Sequence, residues 1–409
     1  MAATLVYNRM AAALAMKLGR GLPILGNTRQ QASDRVFNDA RAANGETMLY
    51  VLPDRGVVGH GGTITEGDMS YAAGSVPLTL HQYNISFSAG TTSDTDISGA
   101  AREANEIEDF KELVEAPLAA HLASEIQGDA ADVAMLGSAS AQVISGTMTM
   151  WDAWSEVAAN IRAAYSGGDM FAAVGPRAKG VAARGAANQF NPAEDISKLW
   201  REATIGRYTG ATFFETPDVR ALTTGTCDLT AAGISVTSYT AATNTLVIGA
   251  TSLTGTIKKG TVLYVGNVRQ TDVYGKDTGA KFAFVVQENA TCSSNAATLT
   301  VQPVYTSGAK VNATAAPQAS DAVVSPLGPS KIYQRSLMWD RAGIGTGFGR
   351  LADLKKAENF RFELLEKGLF FHGAEVGDGI NYRNIWRLDM LTGTAVTLSN
   401  WVGVVFVEV

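Results

Sequence analysis

The side chains able to do chemistry are few in this chain of 409 residues, and they do not cluster. His60, His81, His121 and His372 are scattered, with no His-x-x-His or Cys-x-x-Cys spacing, so metal binding has no local support. Neither a Gly-x-Ser-x-Gly nucleophile elbow nor a Walker phosphate loop occurs. The run from Gly343 to Gly349 (GIGTGFG) invites a nucleotide reading, because glycines let backbone approach a phosphate closely. Two of its frames fail the dinucleotide fingerprint, placing Phe348 or Arg350 where the third Gly belongs. A frame from Gly347 ends on Ala352, which the pattern tolerates, but no clear βαβ unit surrounds it, and a flexible loop is the expectation. The acids Glu106, Glu108 and Asp109 fall on a helical pattern that looks solvent-facing, and without a pocket they are no general acid and base. Cys227 and Cys292 are too few for a disulfide framework and are expected as reduced thiols in a β-rich region. The expectation is therefore no enzyme: no catalytic, cofactor-binding or metal residues, and no cofactor.

Bulk properties narrow the classes further. A net charge of −6 argues against a nucleic-acid reader held by many phosphate contacts. Charged residues make up only 18% while 42 of the 409 residues are glycine, which suits a protein burying much surface against its own copies, and equally a β-rich secreted one. No apolar run of ~18 residues exists, so no membrane span is expected. Met10–Met16 faintly resembles a signal-peptide core, but Lys17, Leu18, Gly19 and Arg20 follow in place of a small-residue cleavage site.

The elements that would position any site begin with a helix-favouring segment, 3–18, inside a basic, acid-free stretch 1–33 that reads as a frayed terminus or as an arm docking on a partner. A strand at 47–52 and a Gly-rich loop lead to a returning strand at 76–87. In that strand Val76, Leu78 and Leu80 alternate in one parity and Tyr83, Ile85 and Phe87 in the other, which predicts a bulge near His81 and Gln82. No lysine occurs between Lys17 and Lys111. The strongest helical signal is 101–136, with Ile107, Phe110, Leu118, Leu122, Ile126, Ala130 and Val133 at steps near three and four, Ser98 as N-cap and Gly137 as stop. Pro117 falls inside that pattern and predicts a kink. Nine acids against Arg102 and Lys111 give the helix a strongly acidic character: a solvated face, or one that repels a packaged polyanion. Further helices are expected at 151–165, 176–187 and 193–202 around a buried strand 170–174. From Thr223 to about Leu327 turn residues and β-formers dominate, with candidate strands 245–248, 261–265, 281–286 and 297–304 at barrel-like spacing. Strands around 387–391 and 402–407 close the chain. An arm and a projecting hairpin have little core of their own, so residues 1–98 are expected to lie across neighbouring subunits.

This order of parts resembles the tailed-phage major capsid proteins of the Hong Kong 97 capsid fold, and more narrowly the podovirus-type coat proteins with an inserted β-barrel. The stretches that carry the likeness are 170–177 (MFAAVGPR), 205–217 (IGRYTGATFFETP), 259–268 (KGTVLYVGNV), 336–342 (SLMWDRA), 387–394 (RLDMLTGT) and 401–405 (WVGVV). The resemblance implies an α+β fold with 1–30 as N-arm, 45–98 as E-loop, 100–137 as spine helix, 138–222 with 328–409 as peripheral and axial domains, and 223–327 as an insertion β-barrel. It implies self-assembly through hexamers and pentamers into an icosahedral shell around double-stranded DNA, contacted non-specifically at most. Scaffolding and portal proteins would be partners, with assembly in the host cytoplasm, a final place in the virion, and no membrane. Some relatives weld subunits through an E-loop lysine, but residues 45–98 contain none, so that cross-link is not expected here. Nor is a long charged loop, used by some relatives across two-fold axes, evident in the insertion. The competing readings are another β-rich structural protein, such as a tail component or an adhesin, and an enzyme or a cellular cage with enzyme cargo.

Overall fold

The computed structural model describes residues 22–37, 47–51, 75–90, 116–164, 166–186, 206–306, 311–351, 358–364, 369–378 and 383–408. The chain divides into two compact units. The first comprises Met1–Tyr50, Pro77–Ala130 and Gly345–Ala395, and the second Val51–Val76, Ala131–Ile344 and Val396–Val409. Among the described residues the fold is α+β and rich in sheet. The helices expected at 3–18 and 193–202, Ser98, His60 and the acids from Glu103 to Glu115 lie outside them.

The sheet of the first unit runs in the order Arg29–Phe37, Ile344–Leu351, Arg383–Val396, Leu369–Asp378, Glu358–Leu364, with His81–Gly90 also on Arg383–Val396. Arg29–Phe37 runs parallel to Ile344–Leu351. His81–Gly90 runs antiparallel to its partner, with Ile85 opposite Leu388. The Gly343–Gly349 run is therefore no loop. Ile344, Thr346 and Phe348 alternate along a strand and are fully buried, and the glycines between them fall on its opposite face. That period of two was present in the sequence and was masked by the glycine content.

Residues 22–37 correct the expectation of an arm that lies only on neighbours. Pro23 opens the short helix Pro23–Gly26, and Leu22, Ile24 and Leu25 are buried. The Ile24 amide, an unpaired donor of the first turn, gives its hydrogen to Gln127 Oε1 at 2.7 Å, and Gln127 is fully buried. Residues 1–21 lie outside the described residues. The parity change holds: Leu78 and Leu80 are buried, then Ile85. Its device is a break at Leu80 between the strands Ser75–Thr79 and His81–Gly90, one residue before the expected position.

The described part of the long helix is Ala116–Leu136. Leu122, Ile126, Ala130 and Ala134 are buried at intervals of four, and Val133, expected on that stripe, is exposed. Four residues advance slightly more than one turn, so the stripe drifts round the helix and reaches Ala134.

In the second unit the main sheet runs Ser140–Val143, Val402–Glu408, Ile332–Asp340, Met170–Val174, Ala211–Glu215, Arg207–Tyr208, with Leu222–Thr223 also on Ile332–Asp340. Helix Met150–Ala163 starts on a capping box in which Thr149 and Asp152 satisfy each other's backbone amides. Trp154, Val157 and Ile161 form its buried stripe as expected, packed with Met170, Ala172, Phe213, Met338 and Val405.

Residues 235–324 hold a second, all-antiparallel sheet in the order Ser235–Thr240, Thr245–Gly249, Ala296–Gln302, Asp277–Val286, Val262–Thr271, Val323–Val324. Its two outer strands meet: Ser235 bridges Ala322, the Val323 amide donates to the Ile234 carbonyl at 2.9 Å, and Ser320 donates to Val236. The sheet thus curls round a core that includes Leu246, Ile248, Leu263, Phe282, Phe284 and Leu299, and the closure leaves its end strands paired.

Candidate functional site: the inserted sheet and its seat

Among the described residues the histidines singled out for chemistry do not gather into a reacting cluster. His81 and His121 are exposed on different elements, and His372 is buried on Leu369–Asp378, opposite Arg361 on one side and Asp389 on the other. No group of three or more His, Cys, Asp or Glu residues is arranged to hold a metal ion among the described residues. No described helix is long and apolar enough to cross a membrane.

Several acids have internal work. Asp129 accepts from Tyr83 Oη at 2.9 Å. Asp132 accepts from Arg335 Nη2 at 2.6 Å and from Arg220 Nη1 at 3.4 Å. Arg335 is buried and also donates its Nε to the Arg220 carbonyl at 2.6 Å. Burial pushes its guanidinium below the ordinary range, and the Asp132 charge opposes that push. Two acids read from sequence as belonging to a solvated or polymer-repelling face are thus tied to partners within their own units. Asp340, almost fully buried, accepts from Ser166 Oγ at 2.7 Å, the Gly168 amide at 3.0 Å and the Ala342 amide at 2.8 Å. It fastens two loops and has the character of a structural anchor.

The arrangement with the most built-in specificity is the seat of the inserted sheet. The segment leaves and re-enters the main sheet at paired residues, Thr223 opposite Ile332 and Leu222 opposite Tyr333. It is held from the other side by the short stretch that follows the long helix. The Ala139 carbonyl accepts from Gln270 Nε2 and from the Ala283 amide, each at 2.8 Å. The Ala141 carbonyl accepts from Tyr264 Oη at 2.6 Å, and the Leu136 carbonyl from Gln287 Nε2 at 2.9 Å. Asn400 closes the set by donating to the carbonyls of Thr271 at 2.7 Å and Asn312 at 2.9 Å. Burial, with the charge of Glu156 behind it, pushes the Tyr264 phenol above its ordinary range, so it stays a protonated donor. Gln270, Gln287 and Asn400 carried no signal in the sequence. A lone amide side chain has no periodicity, and only the tertiary fold brings it to a carbonyl.

Cys227 and Cys292, both on the inserted module, come together at 3.3 Å between sulfurs and are unbonded thiols, as expected.

No family model matches the chain, and no curated protein matches it. Among solved structures it is similar to the capsid of Ralstonia phage GP4, at 8% identity over 94% of this chain and 87% of that one, with a TM-score of 0.43. It is similar to the capsid of the cyanophage P-SCSP1u at 8% identity over 93% of this chain and 86% of that one, TM-score 0.41. A virus-like particle from Pyrococcus furiosus is similar at 7% identity over 97% and 98% of the two chains, TM-score 0.38.

Proposed function

We propose that this chain is a major capsid protein of the Hong Kong 97 type that self-assembles into an icosahedral shell enclosing double-stranded DNA. The observation that carries the reading is the construction of the second unit. Its main sheet is stitched from distant parts of the chain, Ser140–Val143 beside Val402–Glu408 and Met170–Val174 beside Ile332–Asp340. A self-closing sheet is inserted between the paired residues 222–223 and 332–333. In that order of parts the chain resembles coat proteins carrying an inserted barrel.

In this reading residues 1–30 are the N-arm, 45–98 the E-loop, 100–137 the spine helix, 138–222 with 328–409 the peripheral and axial domains, and 223–327 the insertion β-barrel. The work is association, not catalysis. Many modest contacts between hexamers and pentamers add up to a stable shell. Scaffolding and portal proteins are the expected partners, DNA is contacted non-specifically at most, and assembly in the host cytoplasm leads to a place in the virion.

The test is electron microscopy of the purified chain, alone and co-expressed with a scaffolding partner. Closed shells are expected. Small monodisperse species under every assembly condition overturn the reading.

A further inference from the structure

We propose that Cys227 and Cys292 form an oxidisable dithiol site that closes into an intrachain disulfide by exchange with a small-molecule disulfide such as oxidised glutathione. Their sulfurs are 3.3 Å apart, and the backbone holds them there from two sides. The Cys227 amide donates to the Thr256 carbonyl at 3.1 Å, and the Cys292 amide to the adjacent Gly255 carbonyl at 2.9 Å. Thr256 and Thr291 are strand partners, so Cys292 follows directly on a paired residue. Gly255 has φ +102°, and a Cβ there would lie 2.7 Å from Thr226 Oγ1 and 2.9 Å from the Cys227 nitrogen. The turn that presents the two thiols to each other therefore requires glycine.

The two thiols differ in a way that orders the steps. Cys292 is half-buried and Cys227 is buried. The Cys292 thiolate attacks one sulfur of oxidised glutathione and expels one glutathione thiolate, leaving a mixed disulfide. Cys227, as thiolate, then attacks the Cys292 sulfur and expels the second glutathione. Two protein thiols lose two hydrogens and two electrons, and one glutathione disulfide becomes two thiols. Burial pushes the Cys227 thiol up, so the second step quickens as pH rises. The new bond ties the entry of the inserted sheet to a point 65 residues along the chain, which restricts the unfolded state. On the shell reading, closure follows exit from a reducing cytoplasm. The closure itself is independent of that reading and is tested without shells.

The experiment uses the full-length folded chain, freed of reductant and incubated with oxidised glutathione, then analysed by intact mass and peptide mapping without reduction. The expected result is a loss of two hydrogens, one peptide joining Cys227 to Cys292, and a thermal transition that rises on oxidation and returns with dithiothreitol. A folded chain that keeps both thiols, one that stops with glutathione on Cys292, or one that joins to a second chain overturns the proposal. Phenylarsine oxide, which bridges neighbouring thiols, is expected to bind once per reduced chain and to block closure, and failure to bind overturns it too. The Cys227→Ser chain is expected to stop at the mixed disulfide on Cys292, and a Cys227→Ser chain that takes up no glutathione overturns the order of attack.

Discussion

Gln270 and Ala139 are 131 residues apart in sequence, and the Gln270 amide nitrogen donates to the Ala139 carbonyl at 2.8 Å, both residues fully buried. The same side-chain nitrogen donates to the Lys281 carbonyl at 3.0 Å. One amide group thus joins the inserted sheet to the stretch after the long helix and braces its own hairpin. Replacing Gln270 with Leu removes both bonds and leaves Ala139 with the Ala283 amide alone. A loss of about 1–3 kcal/mol is expected, read by urea unfolding. An unchanged midpoint would show that this seat does not hold the module.

Arg335 reaches both Asp132 and the Arg220 carbonyl from a buried position. Arg335→Leu is expected to cost about 2 kcal/mol, below the full range for a broken buried pair because Asp132 keeps partial access to water. Arg335→Lys does not restore it, since a single ammonium cannot serve two acceptors as the forked guanidinium does. The pair of unfolding curves checks this. Equal stability of the Lys variant and the native chain would contradict the two-point anchor.

Alkaline pH is expected to weaken the second unit through Cys227. The Cys227 thiol ionises near 9.0 in the unfolded chain and is pushed up to about 12 by burial in the folded one. Its contribution is therefore fully present below pH 9 and is lost as pH rises towards 12. The unfolding free energy falls in that window by at most about 1.4 kcal/mol per pH unit from this group. Chemical denaturation at a series of pH values reads the slope, and Cys227→Ala is expected to make it shallower whatever its effect on absolute stability, the raised Tyr264 phenol still contributing.

Deletions separate the root of the proposed E-loop from its tip. Removing 45–98 takes away Leu78, Leu80 and Ile85 from the first unit together with the strand paired to Arg383–Val396. A misfolded chain is expected. Removing 54–72 with a short Gly-rich bridge spares those residues and is expected to give a folded subunit that fails to assemble. Circular dichroism and electron microscopy check the pair, and normal shells from the shorter deletion would contradict the E-loop assignment.

Much of the fold was legible before the structure. Trp154, Val157 and Ile161 repeat at helical spacing, and all are fully buried. The strand Met170–Val174 was read to the residue, and the predominance of strand beyond Thr223 was expected from the change of composition there. The parity flip between Leu80 and Ile85 was visible because side chains on a strand alternate strictly. Where local pattern and local structure share one period, sequence suffices.

Tertiary structure alone decided the rest. That Ile344–Leu351 is a strand beside Arg29–Phe37 depends on pairing between residues more than three hundred positions apart. That Gln127, Gln270 and Asn400 hold backbone groups depends on which carbonyl or amide the fold brings within reach. That Cys227 and Cys292 face each other depends on the turn at Gly255. Periodicity reports how a segment divides between core and water. Long-range partners are set by the packing of whole elements, which leaves no mark at neighbouring positions in the chain.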